Sequence, residues 1–146
     1  ANPTVTVSSG SQAAATLYSN EAVTISGGTL TLDGDPARLN ASFTMSGGTL
    51  NADGGVEVYG ATSWTGGTIG GSFINYGTAT LSGAGSKTLS GSGAIANFGT
   101  VNHTGTGELV FSVGSAVYNN IGAVYDIQSD ADSKQGYHLI CRNKRN

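Results

Sequence analysis

The sequence is poor in charge, cysteine and long apolar runs, and each shortage excludes a class of protein. Charged residues make up 10% of the 146 positions, and the formal net charge is −3. The single cysteine, Cys141, excludes an intramolecular disulfide framework. No run reaches the ~20 apolar residues that a membrane-spanning helix needs, so we predict no membrane insertion. The scarcity of Lys among many Ser, Thr, Asn and Gly residues favours an extracellular or cell-surface location.

Basic residues are also few, and most of them lie at the end of the chain. Residues 1–133 contain two basic and nine acidic residues, a balance of −7, and the remainder carries +4. A body of this sign lacks the clustered Lys and Arg that phosphate contacts require. We therefore predict no nucleic-acid binding, and we interpret residues 134–146 as a basic tail or a capping strand.

Glycine, in contrast, is abundant, with 24 of the 146 positions, and it recurs with a repeated phrase. Residues 23–34 match residues 43–54 after a displacement of 20, and residues 64–69 give a shortened third copy. Regularly spaced apolar residues and the low net charge argue against a disordered Gly/Ser-rich linker. Repeats too short to bury their own apolar side predict a solenoid in which successive turns stack.

The second half of the chain is also periodic, but its repeated sequence motif is different. Residues 73–81 match residues 95–103 after a displacement of 22, and residues 117–124 match both with one insertion. This match places three asparagines at one position of successive turns, and we predict that they form a structural ladder of stacked amides: Asn75, Asn97 and Asn119.

Alternation within the first phrase predicts which side chains point inward. Leu30 and Leu32 fall inside and the neighbouring threonines outside, as in a half-buried strand. Asp33 with the following glycine is predicted to turn the corner with a positive φ, and residues 35–42 are predicted to be a loose excursion. Residues 12–18 have a helix-friendly composition and are interpreted as a short cap. We expect Leu50 to lie directly above Leu30.

The repeats resemble those of a known class of bacterial proteins. Residues 64–69, 86–89, 97–101 and 118–127 are similar to repeats in the right-handed β-helix stalks of autotransporter-type and filamentous-haemagglutinin-like adhesins, over roughly residues 20–130. We therefore predict an all-β, right-handed single-stranded parallel β-helix of about six rungs of 19–22 residues. It should occupy residues 1–133, with residues 1–22 as an irregular first rung or cap.

The resemblance implies a structural or adhesive segment of a secreted or cell-surface bacterial protein and carries over no functional residue. A glycan or surface receptor is the expected partner. Solenoids of this kind also leave strand edges at both ends, so we expect homo-oligomers through end-to-end or side-by-side contacts. A carbohydrate-binding or polysaccharide-processing β-helix stays open as the alternative.

Candidate chemistry is sparse, and we predict no enzyme activity and no cofactor. The best carboxylate pair is Asp33 and Asp53, which stack at equivalent corners and form a weak candidate metal site, because hard cations take several oxygen ligands. The alternative interpretation is that Asp-Gly is a common turn pair. His103 falls at an inward-facing strand position, and no Cys, second His or carboxylate is in register with it. We therefore predict that it forms a hydrogen bond with the backbone.

Two sets of residues offer a surface for ligands. Outward Thr and Asn residues predict a double column that resembles the face of ice-binding solenoids, although Thr is also a good exposed strand residue. That column comprises Thr29, Thr31, Thr49, Asn51, Thr78, Thr80, Thr100 and Asn102. Aromatic residues offer a platform for sugars or, alternatively, fill the core and corners: Tyr59, Trp64, Tyr76, Phe98, Tyr118 and Tyr125.

Overall fold

The computed structural model describes residues 3–128, and the regular secondary structure of this part is entirely β-strand. The strands of its first half are Thr4–Val7 (β1), Ser11–Ala14 (β2), Tyr18–Ser19 (β3), Ala22–Ile25 (β4), Thr29–Leu32 (β5), Ala37–Leu39 (β6), Phe43–Met45 (β7) and Thr49–Val58 (β8). Those of its second half are Thr62–Trp64 (β9), Gly67–Asn75 (β10), Thr78–Leu81 (β11), Lys87–Asn97 (β12), Thr100–His103 (β13), Leu109–Phe111 (β14), Ala116–Asn119 (β15) and Val124–Ile127 (β16). Residues 3–128 thus include no helix long and apolar enough to cross a membrane.

The strands pair in parallel and build a β-solenoid of about six turns. One sheet has seven strands in the order β1-β4-β7-β9-β11-β13-β16. The other has nine, with β14-β12-β10-β8-β5-β2 as its main path, β15 on β12, and β6 on both β3 and β8. Since every neighbour in these orders belongs to an adjacent turn, the chain coils upward, and each inner turn is hydrogen-bonded to the turns on both sides.

Each turn contributes strand segments to three faces. The seven-stranded sheet is the first face. The second face contains β5 and the first part of β8, and the third contains β6 and the last part of β8. Register shifts in β10, between Gly70 and Ser72 and between Gly71 and Phe73, mark the boundary between the second and third faces.

Turn length varies more than the sequence predicts. Val23 pairs with Phe43, a displacement of 20, whereas Thr62 pairs with Ala79 after 17 residues and Val101 with Tyr125 after 24. The strand segments keep their register, so the variation falls in the connections between them.

The core is made of vertical columns of inward side chains. One column stacks five buried side chains on successive turns, each directly above the one before. From the bottom upward they are Leu30, Leu50, Ile69, Leu89 and Phe111. The predicted vertical pair of Leu30 and Leu50 is therefore confirmed. Burial of such columns is the main favourable contribution to folding, at about 25 cal/mol per Å² of apolar surface.

Stacked glycines close the corner between the first and second faces. The second glycine of each Gly-Gly phrase has a positive φ, +70° at Gly28, +74° at Gly48 and +96° at Gly67. A Cβ on Gly48 would lie 2.6 Å from the carbonyl oxygen of Gly28, which no real side chain tolerates. The predicted positive φ after Asp33 is wrong: Gly34 has none, and its missing Cβ leaves room for the Ala15 carbonyl oxygen instead.

Two predicted irregular segments are strands. The helix-friendly composition of residues 12–18 does not produce a helix, because β2 pairs with Thr29–Leu32 as a parallel strand at the end of the nine-stranded sheet. The predicted loose excursion at residues 35–42 contains β6, whose Ala37 and Leu39 are buried directly below Val56 and Val58 of the next turn. The predicted tail or capping strand at 134–146, including Cys141, lies outside the described residues.

Candidate functional site

An exposed stack of three aromatic rings runs along one corner of the solenoid. Tyr59, Tyr76 and Phe98 each follow the last inward residue of a third-face strand, so strand alternation points them outward. Their backbone amides donate to carbonyls of the preceding turn, which holds the three residues in register. The ring centroids are 4.7 and 5.1 Å apart, with interplanar angles of 9° and 18°. We call these three residues the aromatic strip.

The spacing of the rings in the aromatic strip follows from the spacing of the turns. Their centroid separations of 4.7 and 5.1 Å are close to the ~4.7–4.9 Å between neighbouring strands, as expected of equivalent residues on successive turns. The three side chains keep accessible surface, since Tyr59, Tyr76 and Phe98 are 42%, 40% and 50% exposed.

An ion pair covers one end of the aromatic strip. The Arg38 guanidinium carbon lies 5.4 Å from the Tyr59 ring centroid. Arg38 Nε and Nη2 each donate to Glu57 Oε2 at 3.3 Å, and the Tyr59 hydroxyl donates to the same oxygen at 3.2 Å. Partial desolvation raises the pKa of Tyr59, Arg38 opposes this rise, and Glu57 adds to it.

Inside the same corner the three predicted ladder asparagines stack. Asn75 Nδ2 donates to Asn97 Oδ1 at 2.9 Å, and Asn97 Nδ2 donates to Asn119 Oδ1 at 2.7 Å. Asn75 and Asn97 are fully buried. Asn97 uses both ends of its amide, because Gly99 N donates to its oxygen and its Nδ2 also donates to the Val124 carbonyl. The ladder thus fixes the backbone from which the aromatic strip projects.

The structure does not bring the eight predicted column residues onto one face. Thr29, Thr31, Thr49 and Asn51 lie in the nine-stranded sheet, and Thr78, Thr80, Thr100 and Asn102 lie in the seven-stranded sheet. The prediction of one continuous double column is therefore wrong, because the repeat change near residue 72 shifts the alignment from one face to another.

A different column of threonines does form on the second face. Thr29, Thr49, Thr68 and Thr88 occupy one register position on four successive strands. The sequence prediction omitted Thr68, although the shortened third copy at residues 64–69 contains it, and missed Thr88, which lies outside the three copies. Counting inward positions from Leu50 through Ile69 to Leu89 is the signal that identifies them.

The acidic pair is weak as a metal site. Leu32 pairs with Ala52, so the following Asp33 and Asp53 occupy equivalent positions in adjacent turns, and both are exposed. In residues 3–128 no group of three or more His, Cys, Asp or Glu side chains is placed to hold a metal ion. Two exposed carboxylates alone supply fewer oxygens than calcium takes.

Another corner buries three nitrogen donors against glycine carbonyls. Trp64 Nε1 donates to Gly66 O at 3.0 Å, and Lys87 Nζ donates to Gly85 O at 2.9 Å. His103 Nε2 lies 3.3 Å from Gly107 O, which is the backbone bond that its inward position predicts.

Burial lowers the pKa of both titratable groups in that corner. Desolvation lowers the pKa of the fully buried Lys87. Desolvation also lowers the pKa of His103, the bond to Gly107 opposes this effect, and the positive charge of Lys87 adds to the lowering.

The remaining aromatic residues of the predicted platform separate into core and surface. Trp64 is buried in the core, so it is a core filler. Tyr125 packs partly against the core, and Tyr118 is exposed in the column beside the aromatic strip. Sequence reasoning missed the Arg38–Glu57 pair, because these residues come together only when β6 stacks on β8.

Comparisons of the chain with protein-family models, with curated proteins and with solved structures find no significant match.

Proposed function

We propose that this chain is a structural or adhesive β-solenoid segment, coiled right-handed, of a secreted or cell-surface bacterial protein. The observation that carries the proposal is the unbroken register of the seven-stranded sheet, in which every strand pairs in parallel with its neighbours over about six turns. This architecture converts sequence length into distance, since each turn adds one strand spacing of ~4.8 Å. Six spacings give a rod of roughly 29 Å.

The outer surface suits this role. Outward positions of the first face are occupied by short neutral side chains on most turns, such as Thr24, Thr44, Ser63 and Thr80. Such side chains are good exposed strand formers and need no partner other than water. A rod with this surface serves as a spacer, and local departures from it, such as the aromatic strip, are the places at which it adheres.

Two assays test the proposal together. If the chain is adhesive, beads coated with the full chain are expected to bind a cell or glycan surface. If the chain is structural, it is expected to act as an inert spacer when a binding domain is fused to one end. The same preparation is incubated with neutral and acidic polysaccharides, and reducing ends are measured over time. Saturable cleavage would overturn the non-enzymatic proposal and support a polysaccharide-processing β-helix.

Self-association is part of the proposal, because the ends of a solenoid present unpaired strand edges. Sedimentation velocity over a hundredfold range of concentration is expected to show dimers or longer species at the upper end. A strict monomer over the whole range would remove homo-oligomers from the proposal.

Ice binding is a second candidate, favoured by the column of Thr29, Thr49, Thr68 and Thr88. Hydroxyls and methyls repeat there at the strand spacing on a parallel sheet, which is a regular template for ordered water. Thermal hysteresis that is lost in Thr49→Tyr and kept in Thr44→Tyr, on the seven-stranded sheet, would support this candidate. Absence of hysteresis in the unmodified chain would exclude it.

A further inference from the structure

We propose that the aromatic strip binds a neutral oligosaccharide, which lies along the solenoid axis across Tyr59, Tyr76 and Phe98. The inference rests on the adhesive form of the proposed function and names the ligand class. The rings, with centroids 4.7 and 5.1 Å apart and side chains 40–50% exposed, offer accessible aromatic surface on three successive turns. A linear ligand with repeating C–H faces matches this arrangement, and a compact ligand uses only one ring.

The chemistry around the rings fits a saccharide better than a purely apolar ligand. A pyranose has a face of C–H groups bordered by hydroxyls, so it needs aromatic surface with hydrogen-bonding groups at the margin. The strip supplies the phenol groups of Tyr59 and Tyr76, and Glu57 lies at one end. At the other end, Asn120 occupies the position equivalent to Phe98 on the next turn. The backbone N–H of Asn120 donates to the Asn97 carbonyl, just as the backbone N–H of Phe98 donates to the Asn75 carbonyl.

Charge favours a neutral ligand over a polyanion. Among residues 3–128 the basic side chains are Arg38 and Lys87. Lys87 is fully buried, and Arg38 is held by Glu57 beside Tyr59. The part of the chain that the structure describes has seven acidic residues, so its field repels uronic acids and sulfated sugars.

Size favours a small linear ligand over a second copy of the chain. With aromatic side chains of ~150–250 Å², three rings that are 40–50% exposed offer roughly 200–350 Å². In the adjoining outward column the partly buried Ile74 and Ala96 add little to this area, and Tyr118, which is 46% exposed, adds about 70–115 Å². A stable protein interface covers about 800 Å² on each partner. The strip is therefore too small for a stable dimer and large enough for a few sugar units.

The test is a titration of the full chain with hexasaccharides, followed by NMR of labelled aromatic rings. The neutral probes are hexamers of β-1,4-glucose, β-1,4-N-acetylglucosamine and α-1,4-glucose, and the charged probe is hexagalacturonate. We expect at least one neutral probe to shift the Tyr59, Tyr76 and Phe98 ring signals saturably, and the charged probe to leave them unchanged. Tyr76→Ala should weaken binding about fivefold to tenfold, since it removes the central ring.

Two variants separate lost contact from altered folding. Tyr76→Phe keeps the ring and should retain affinity within about threefold. Tyr18→Ala removes another exposed tyrosine of the third face and should leave affinity unchanged. Tyr18 lies in the column that adjoins the aromatic strip, three turns below Ile74. Unchanged backbone spectra in all three variants show that the solenoid is intact.

Several results would overturn the ligand assignment. These are the absence of ring shifts with every neutral probe, tighter binding of hexagalacturonate, equal loss in Tyr18→Ala, and ring shifts that depend on protein concentration without sugar. If coated beads still adhere to cells and Tyr76→Ala abolishes that adhesion while no sugar binds, the adhesive function stands and the saccharide is wrong. If neither sugar nor any surface binds, the adhesive form of the proposed function falls as well.

Discussion

Replacing Asn97 by Leu should destabilise the solenoid more than the same change at Asn75, although both side chains are fully buried in one ladder. Asn97 takes part in four hydrogen bonds of 2.7–3.1 Å, with Asn75, Asn119, Gly99 and Val124. A net hydrogen bond is worth ~0.5–1.5 kcal/mol, so their loss amounts to about 2–4 kcal/mol after some compensation by the buried Leu.

Asn75 is less well satisfied. Its Nδ2 lies 2.9–3.1 Å from oxygens of Gly77, Asn97 and Thr100, which share its two N–H groups, but its Oδ1 is buried without a partner. Leu at this position removes these two donors and also removes an unpaired oxygen that costs about 1–3 kcal/mol. The two effects largely cancel, and the preceding members of the column, Leu39 and Val58, are already apolar. We expect a net loss of ~0–1 kcal/mol for Asn75→Leu.

Urea unfolding followed by circular dichroism measures both variants against the unmodified chain. The midpoint should fall clearly for Asn97→Leu and little for Asn75→Leu, with the same m-value in all three proteins. Asn120→Leu is the comparison for the loss of a single bond, because this half-buried amide of the next column donates from Nδ2 to the Asn97 carbonyl at 3.0 Å, and it should cost about 1 kcal/mol. Equal destabilisation by the two ladder variants, or a larger effect at Asn75, would refute the assignment of the orphaned oxygen.

Four further substitutions test three predictions about corners of the solenoid. Gly48→Ala should cost more than ~2 kcal/mol, because its Cβ meets the Gly28 carbonyl oxygen, whereas Gly91→Ala, with φ +58° and nothing within 4 Å, should cost about 1 kcal/mol in the same urea assay. The lowered pKa of His103 means that the unfolded chain takes up its proton first, so stability should fall as the pH drops below 6.5, and His103→Gln should flatten this dependence between pH 7.5 and 5. Lys87→Met should raise the urea midpoint at pH 7, because it removes a desolvated ammonium, and the gain should shrink toward pH 10.5; an unchanged midpoint at pH 7 would contradict this reasoning.

The sequence predicts the stacking because identical residues recur at fixed displacements. Leu30 with Leu50 and Asn75 with Asn97 need only a count of the period. It predicts strand β6 poorly, because Pro36 and the charged Arg38 suggest a loop, and only the buried Ala37 and Leu39 show that the segment alternates. Local composition misleads where pairing with the next turn decides the structure.

The candidate site is harder to predict than the core. The sequence shows that aromatic residues are numerous, but outward parity at Tyr76 and inward parity at Trp64 depend on where each turn bends. The bend follows from register shifts in β10, which involve glycines and leave no distinct pattern in hydrophobicity. The Arg38–Glu57 pair depends on a displacement of 19 that differs from the neighbouring turns.

The glycine corner has a consequence for how such a protein grows. At each level the space of an absent methyl is filled by the oxygen of the level below, so a lone replacement disturbs two levels at once. Duplicating a whole turn, for instance the 20 residues that separate Val23 from Phe43, copies both the corner glycine and the carbonyl oxygen that packs against the next turn. Inserting a complete turn should therefore disturb the solenoid less than replacing a single glycine at this corner.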